Sequence, residues 1–143
     1  MSDELRAAYE TFLKTEARPV APQGEWTTEQ ILAHVSLVTA ATITTVSSVA
    51  SGAVTTYDNR LAQDPWTLDR VSALAGERLR DRIRAQGEAL CLLAEQLSEV
   101  ELATAVPTLL LSNGECLVDA PVTVRDLLAG LATTELPGHA NQL

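Results

Sequence analysis

Hydrophobic residues recur every three or four positions in several stretches of the chain, the period of an α-helix with one buried face. Residues 3–16 have this period and predict a first amphipathic helix. A second helix is predicted to begin after Thr27 and to run to about Ser51, because Thr27 and Gln30 have the spacing of a capping box. A third long helix is predicted over residues 68–98, with a packing seam formed by Leu79, Ile83, Gln86, Leu90, Leu93 and Leu97.

The pattern changes between Pro107 and Pro121, where two short apolar runs flank an Asn-Gly pair. Asn-Gly favours a tight type I′ turn, so this segment is predicted to form a β-hairpin. Thr123 is the predicted N-cap of a last helix, and residues 57–68 are predicted to be a connection. The predicted fold is therefore all-α: a four-helix bundle in a single domain, residues 1–143, with a short β-hairpin before the last helix.

Charge and composition restrict the classes of function. The net charge of −9 disfavours a nucleic-acid partner, and the arginines of residues 78–84 alternate with acids, as on a solvated helix face. No apolar stretch reaches the ~20 residues of a membrane span, and the acidic N-terminus lacks the features of a signal peptide. We expect a cytoplasmic protein with no membrane partner, in which Cys91 and Cys116 are reduced and separate.

The candidate chemistry lies in the two histidines of the chain and one glutamate. His34 is flanked by apolar residues in the second predicted helix, where a hydrogen-bonded core histidine is the simpler interpretation. Glu135 and His139, however, are four residues apart and therefore share one helix face. Together the three form a two-histidine, one-carboxylate set, which leaves coordination positions open on a divalent metal. Pro137 lies between the paired residues and tends to kink the helix there.

Two segments carry a family resemblance. Residues 26–35 (WTTEQILAHV) resemble the second helix of the DinB-like metalloprotein superfamily, and residues 127–131 (LLAGL) with 135–143 (ELPGHANQL) resemble its last helix. The resemblance implies a four-helix bundle whose members commonly carry three metal-binding histidines. Glu135 stands where many members have histidine, and the His, Glu, His combination is similar to the N-terminal metal domain of the mycothiol-dependent maleylpyruvate isomerases.

The resemblance implies a metal-dependent enzyme that uses a low-molecular-weight thiol, such as mycothiol or bacillithiol, for S-transfer or isomerisation of a small electrophile. Zinc fits the ligand set best, while nickel and ferrous iron also accept it. Two alternatives stay open at this point. One is a noncatalytic metal-binding bundle that acts as a small-ligand binder or stress-response protein. The other is metal-assisted hydrolysis with Asp58 as general base.

Substrate-binding residues are predicted from helix geometry. Val38, Thr42 and Thr45 follow His34 on the same helix face, although both threonines would equally well bond the carbonyl four residues earlier. Tyr57 and Asp58 are placed at the pocket mouth, with a simple helix-ending turn as the alternative for the segment. Cys116 could approach the site from the hairpin, but a surface position is the simpler expectation. The broad aliphatic faces of the helices are compatible with a homodimer.

Overall fold

Helices form most of the fold, as the periodicity predicts. The computed structural model describes residues 2–143. The helices are α1 (Ser2–Lys14), α2 (Thr28–Ala50), α3 (Pro65–Ser72), α4 (Gly76–Glu95), α5 (Glu99–Leu102), α6 (Val124–Gly130) and α7 (Leu136–Gln142). A single 3₁₀ turn covers Leu61–Gln63, and a π-helical turn, Leu131–Glu135, joins α6 to α7 without a break.

The start of α2 follows the predicted signal. Thr27 accepts a hydrogen bond from the backbone N–H of Gln30, and the Gln30 side chain accepts one from the backbone N–H of Thr27. This reciprocal pair is the capping box expected from the sequence, and it satisfies two donors that the first turn leaves free. The helix register that places His34 is therefore fixed two turns before it.

The core lies where α2 packs along α4 and α1 packs against α4 and α7. Its largest side chains are wholly removed from solvent: Leu5, Phe12, Leu32, Leu79, Ile83, Leu90 and Leu128. One close approach depends on a glycine, because a Cβ at Gly87 would lie 2.9 Å from Cγ of Tyr9. The Tyr9 hydroxyl is also anchored, 2.7 Å from the Thr39 hydroxyl of α2. The three long helices are thus held in register by apolar packing around one buried tyrosine.

The prediction of one long helix over residues 68–98 is wrong. The structure divides it into α3 and α4, which are separated at residues 73–75, and α5 begins only after the predicted range ends. Asp64 caps α3 through the backbone N–H of Thr67, with Pro65 in the first turn. Ser98 and Glu101 form a second capping box, which starts α5 separately. Apolar periodicity continues across residues 73–75 and conceals that break, since Ala75 begins α4 without a side-chain cap.

A three-stranded sheet accompanies the helices. The strands are β1 (Tyr57–Asp58), β2 (Ala105–Ser112) and β3 (Glu115–Thr123), in the order β1-β2-β3. The β2–β3 hairpin turns at Asn113 and Gly114, whose φ angles of 50° and 78° fit the predicted type I′ turn. β1 pairs in parallel with β2, in a segment predicted as a connection. The helical bundle and the hairpin are confirmed, whereas strictly all-α and strictly four-helix are corrected.

α2 is also long and apolar enough, by length and composition, to cross a membrane. In the structure 61% of its most apolar window is buried inside the protein. A core helix meets the same criterion as a membrane span, so this feature is weak support for a membrane segment.

Candidate metal centre

His34 is held in one orientation at the inner end of a cavity. It lies in the second turn of α2 and is 2% exposed. Its Nδ1 donates to the carbonyl oxygen of Ala62 at 2.6 Å, in the 3₁₀ turn, so its Nε2 is free to act as an acceptor or metal ligand. Burial, with a smaller contribution from nearby His139, lowers the pKa of His34 from 6.5 to about 4. The imidazole is therefore neutral near pH 7, as metal coordination requires.

Glu135 and His139 are presented by an irregular helix. The π turn before α7 is closed by a bond from the Leu136 N–H to the Leu131 carbonyl, five residues earlier. Pro137 follows directly on this turn, so the hydrogen-bond ladder that its missing N–H would interrupt is already displaced from the α-helical pattern there. The predicted kink is thus accommodated by the π turn just before the proline, and Glu135 and His139 still meet across one helical turn.

His139 contacts a carboxylate on one ring nitrogen and an amide on the other. Its Nε2 lies 3.1 Å from Oε2 of Glu135, and its Nδ1 lies 2.8 Å from Oε1 of Gln142. Burial opposes protonation of His139, but hydrogen bonds to Glu135 and Gln142 outweigh it and raise the pKa of His139. The hydrogen bond from His139 lowers the pKa of Glu135. The proton shared by Glu135 and His139 therefore lies where a metal cation bound by the same two side chains would lie.

The three side chains converge on one point. One ligand atom each from His34, Glu135 and His139 lies within 4.8 Å of the other two, and the imidazole centroids are 4.5 Å apart. Donors ~2.1 Å from a tetrahedral ion are about 3.4 Å from one another. The Glu135–His139 pair already meets that spacing, and small side-chain rotations would close the rest. The residues therefore fit a divalent ion, with two neutral imidazoles and one carboxylate as donors.

The candidate ligands lie at a cavity of about 620 Å³ that is open to solvent. Trp26 covers one side, with its ring centroid 4.8 Å from that of His34 and 6.3 Å from that of His139. The tip of the β2–β3 hairpin also lines the cavity. The remaining lining comes from the α1–α2 connection, the 3₁₀ turn and the C-terminal turn, including Arg18, Glu25, Gln63, Asn141 and Gln142. A small molecule at the candidate centre would meet a mainly polar surface.

The five predicted substrate-binding residues do not line the cavity at the candidate ligands. Val38 is core, and the Thr42 hydroxyl donates to the Val38 carbonyl at 2.8 Å, as the back-bonding alternative expected. The Thr45 hydroxyl instead donates to the Thr56 carbonyl, and the Tyr57 hydroxyl lies 3.0 Å from that of Thr42. These contacts satisfy their polar atoms without a ligand, and none of the four lines the cavity.

Asp58 and Cys116 are also outside the cavity. Asp58 forms a salt bridge with Arg60, which lowers the pKa of its carboxyl and makes it a weak general base. Cys116 is exposed on β3, with its Sγ 3.6 Å from the Val118 carbonyl. Neither residue therefore reaches the three candidate ligands in this structure.

Sequence reasoning missed several residues that shape the cavity. Trp26 directly precedes the capping box of α2 and the hairpin tip was predicted only as a turn, so neither was identified as part of a cavity. Gln142 follows His139 by three residues, a helical spacing that could have identified it as a hydrogen-bond partner. Arg18 lies in a Pro-containing connection, where no periodicity indicates its neighbours.

Comparison with known proteins supports the fold. No protein-family model matches the chain, and no curated protein does. Among solved structures, the chain is similar to the crystal structure of the mycothiol-dependent maleylpyruvate isomerase, with a TM-score of 0.74 and 18% sequence identity. The match covers 99% of this chain and 57% of that one, so this chain spans little more than half of its neighbour's length. At this identity the similarity establishes a shared fold.

Proposed function

We propose that this protein is a metal-dependent enzyme that uses a low-molecular-weight thiol to transfer sulfur to, or isomerise, a small electrophile. The observation that carries the proposal is the convergence of His34, Glu135 and His139 within 4.8 Å at an open cavity. The shared fold with a thiol-dependent isomerase supports the choice of a thiol. Zinc is the proposed ion, since two imidazoles and a carboxylate suit it.

Each of the three residues has a defined part in this proposal. His34 offers Nε2, because Ala62 occupies its Nδ1 proton. His139 offers Nε2 in the same way, because Gln142 accepts from its Nδ1. Glu135 supplies the one negative charge, leaving the centre with a net charge of +1 that favours an anionic ligand. When bound, a divalent ion lowers the pKa of a coordinated thiol and so supplies thiolate at neutral pH.

The cavity walls supply binding and partial exclusion of water. Trp26 packs beside both imidazoles, and the buried His34 lies in a low-dielectric setting where charge interactions are strong. The hairpin tip and the C-terminal turn also line this open cavity, so an electrophile that enters it would meet them. Among the described residues that line the cavity, the ionisable ones are Arg18, Glu25 and the three candidate ligands.

The proposal is tested first by metal binding and then by thiol binding. Purified protein is dialysed against Zn²⁺, and its metal content is compared with that of Glu135→Gln and of Glu29→Gln, a matched charge change outside the cavity. Cobalt-loaded protein is then titrated with 2-mercaptoethanol and with mycothiol. Thiolate coordination to Co²⁺ gives a new near-ultraviolet charge-transfer absorption, which we expect with wild type and Glu29→Gln only.

Turnover distinguishes an enzyme from a noncatalytic metal protein. Zinc-loaded protein is assayed with thiol and a panel of small electrophiles, following loss of free thiol against the uncatalysed rate. Thiol-dependent acceleration that is lost in Glu135→Gln supports the proposal. Metal binding that raises the melting temperature without thiol binding or turnover would favour the noncatalytic metal-binding bundle instead.

A further inference from the structure

Arg18 is a cavity residue to which the proposed chemistry assigns no part. It lies in the connection between α1 and α2, and among residues 2–143 it is the one lysine or arginine that lines the cavity. Its backbone N–H donates to the Leu143 carbonyl at 3.3 Å, and its Nη2 donates to the Asn141 carbonyl at 3.1 Å. The guanidinium is therefore held against the C-terminal turn that carries His139.

The acidic partner of Arg18 is loosely placed. Nη1 of Arg18 lies 3.8 Å from Oε2 of Glu25, which is beyond hydrogen-bond distance, and the Glu25 side chain is 57% exposed. A guanidinium has five N–H donors in a planar fork that matches a carboxylate. Among residues 2–143 the guanidinium makes one hydrogen bond, to the Asn141 carbonyl, and both Arg18 and Glu25 line the cavity. The Glu25 carboxylate can therefore be exchanged for another one at this wall.

The charges around the cavity also favour an anion. Glu25 and Glu135 carry two negative charges against one positive charge on Arg18. A divalent ion at the three candidate ligands reverses that balance to one net positive charge. The metal-loaded cavity would therefore attract an anionic ligand, even though the whole chain carries a net charge of −9.

We propose that Arg18 binds a carboxylate of the ligand in exchange for Glu25, so that the cavity selects carboxylate-bearing small molecules. The inference rests on the proposed thiol-dependent function and names the substrate class for that site. The carboxylate belongs either to the thiol or to the electrophile, and the two sources present the same group to Arg18.

The experiment measures binding to zinc-loaded protein by calorimetry in two arms. The thiol arm compares 3-mercaptopropionate with 3-mercaptopropionamide. The electrophile arm compares succinamate with succinamide, unreactive probes, in protein saturated with 2-mercaptoethanol. We expect about a tenfold preference for the carboxylate in the arm that matches the natural source, as for a charge-assisted arginine contact.

Two variants change this preference in opposite directions. Arg18→Gln should reduce the carboxylate-to-amide ratio to about one, while Glu25→Gln, which removes the competing carboxylate, should increase carboxylate affinity about threefold. Arg84→Gln and Glu29→Gln make the same charge changes outside the cavity and should leave the ratio unchanged. Zinc content of each variant verifies that the metal ligands remain in place.

The outcomes separate this inference from the function on which it rests. If zinc-loaded wild type does not bind 2-mercaptoethanol, the proposed function fails and the inference falls with it. If it binds 2-mercaptoethanol but shows no carboxylate preference in either arm, the inference alone is overturned. It is also overturned if Glu25→Gln and Glu29→Gln raise carboxylate affinity equally, because bulk charge would then be the cause.

Discussion

The buried, neutral His34 makes the stability of the metal-free protein depend on pH in a specific window. Burial lowers the pKa of His34 from 6.5 to about 4 in the folded protein, whereas the unfolded chain leaves it near 6.5. Below pH 6.5 the unfolded state therefore binds a proton that the folded state does not. The contribution of neutral His34 to the free energy of unfolding is complete above pH 6.5 and is lost as the pH falls towards 4.

The magnitude follows from the two pKa values. The complete change corresponds to about 3 kcal/mol, of which about 2 kcal/mol is lost between pH 7 and pH 5. His139 contributes with the opposite sign, because its pKa is raised in the folded state, but its effect changes only above pH 6.5. Carboxylates such as Glu135 contribute mainly below pH 5, since their unfolded pKa values are about 4. The interval from pH 5 to 6.5 therefore isolates His34.

The assay is urea unfolding of chelator-treated protein at half-unit steps from pH 5 to 8. His34→Asn is the comparison, because asparagine places an N–H donor near Nδ1 and can keep the bond to the Ala62 carbonyl. We expect wild type to lose about 2 kcal/mol more than His34→Asn between pH 7 and pH 5. Parallel pH curves for the two proteins would refute the reasoning, since His34 would then titrate alike in both states.

Three further predictions concern the site and the core. Gln142→Ala should weaken Zn²⁺ binding about tenfold in chelator competition, whereas Gln142→Glu should not, because the side chain at 142 orients His139. Equal Zn²⁺ affinities for the two variants would contradict this role. In Trp66→Phe, binding of Cu²⁺ should quench the fluorescence of Trp26, which lies beside both histidines, while Trp26→Phe, with exposed Trp66 as reporter, should respond little. Gly87→Ala should lower the free energy of unfolding by about 1–3 kcal/mol because its new Cβ clashes with Tyr9, whereas Gly130→Ala, with open space around it, should raise that free energy by up to about 1 kcal/mol. Urea unfolding measures both, and the reverse order of stability would contradict the packing around Tyr9.

Features of the fold with local causes were predictable. The Thr27–Gln30 capping box and the Asn-Gly turn each depend on a few adjacent residues, and both form as expected. The parallel pairing of Tyr57 with Thr108 was not predictable, because it joins residues about fifty positions apart and has no local signal. The break between α3 and α4 had no such signal, because Ala75 begins α4 without a side-chain cap and the apolar period continues across it.

The candidate site was predictable only in part, because helix periodicity shows which residues share a face but not which end of that face lines a cavity. Thr42 and Thr45 do lie on the His34 side of α2, yet that side continues into the core, where internal bonds occupy both hydroxyls. The cavity lies in the other direction, where Trp26 at the start of α2 and the hairpin tip line it. Elements distant in the sequence decide which end of a helix face they cover. No local sequence pattern predicts that packing.

The convergence of the three candidate ligands could not be predicted from their sequence spacing alone, and the π turn is the reason. The four-residue interval between Glu135 and His139 places them on a common face in any regular helix. It does not say where that face points, and one additional residue in a turn rotates everything after it by about 100°. The turn Leu131–Glu135 contains such a residue immediately before the pair, so α6 can pack its own apolar face while α7 directs Glu135 and His139 towards His34. The same turn displaces the hydrogen-bond ladder just before Pro137, where a proline would otherwise interrupt it. A departure from helical regularity, which apolar periodicity cannot reveal, therefore both orients the candidate ligands and accommodates the proline.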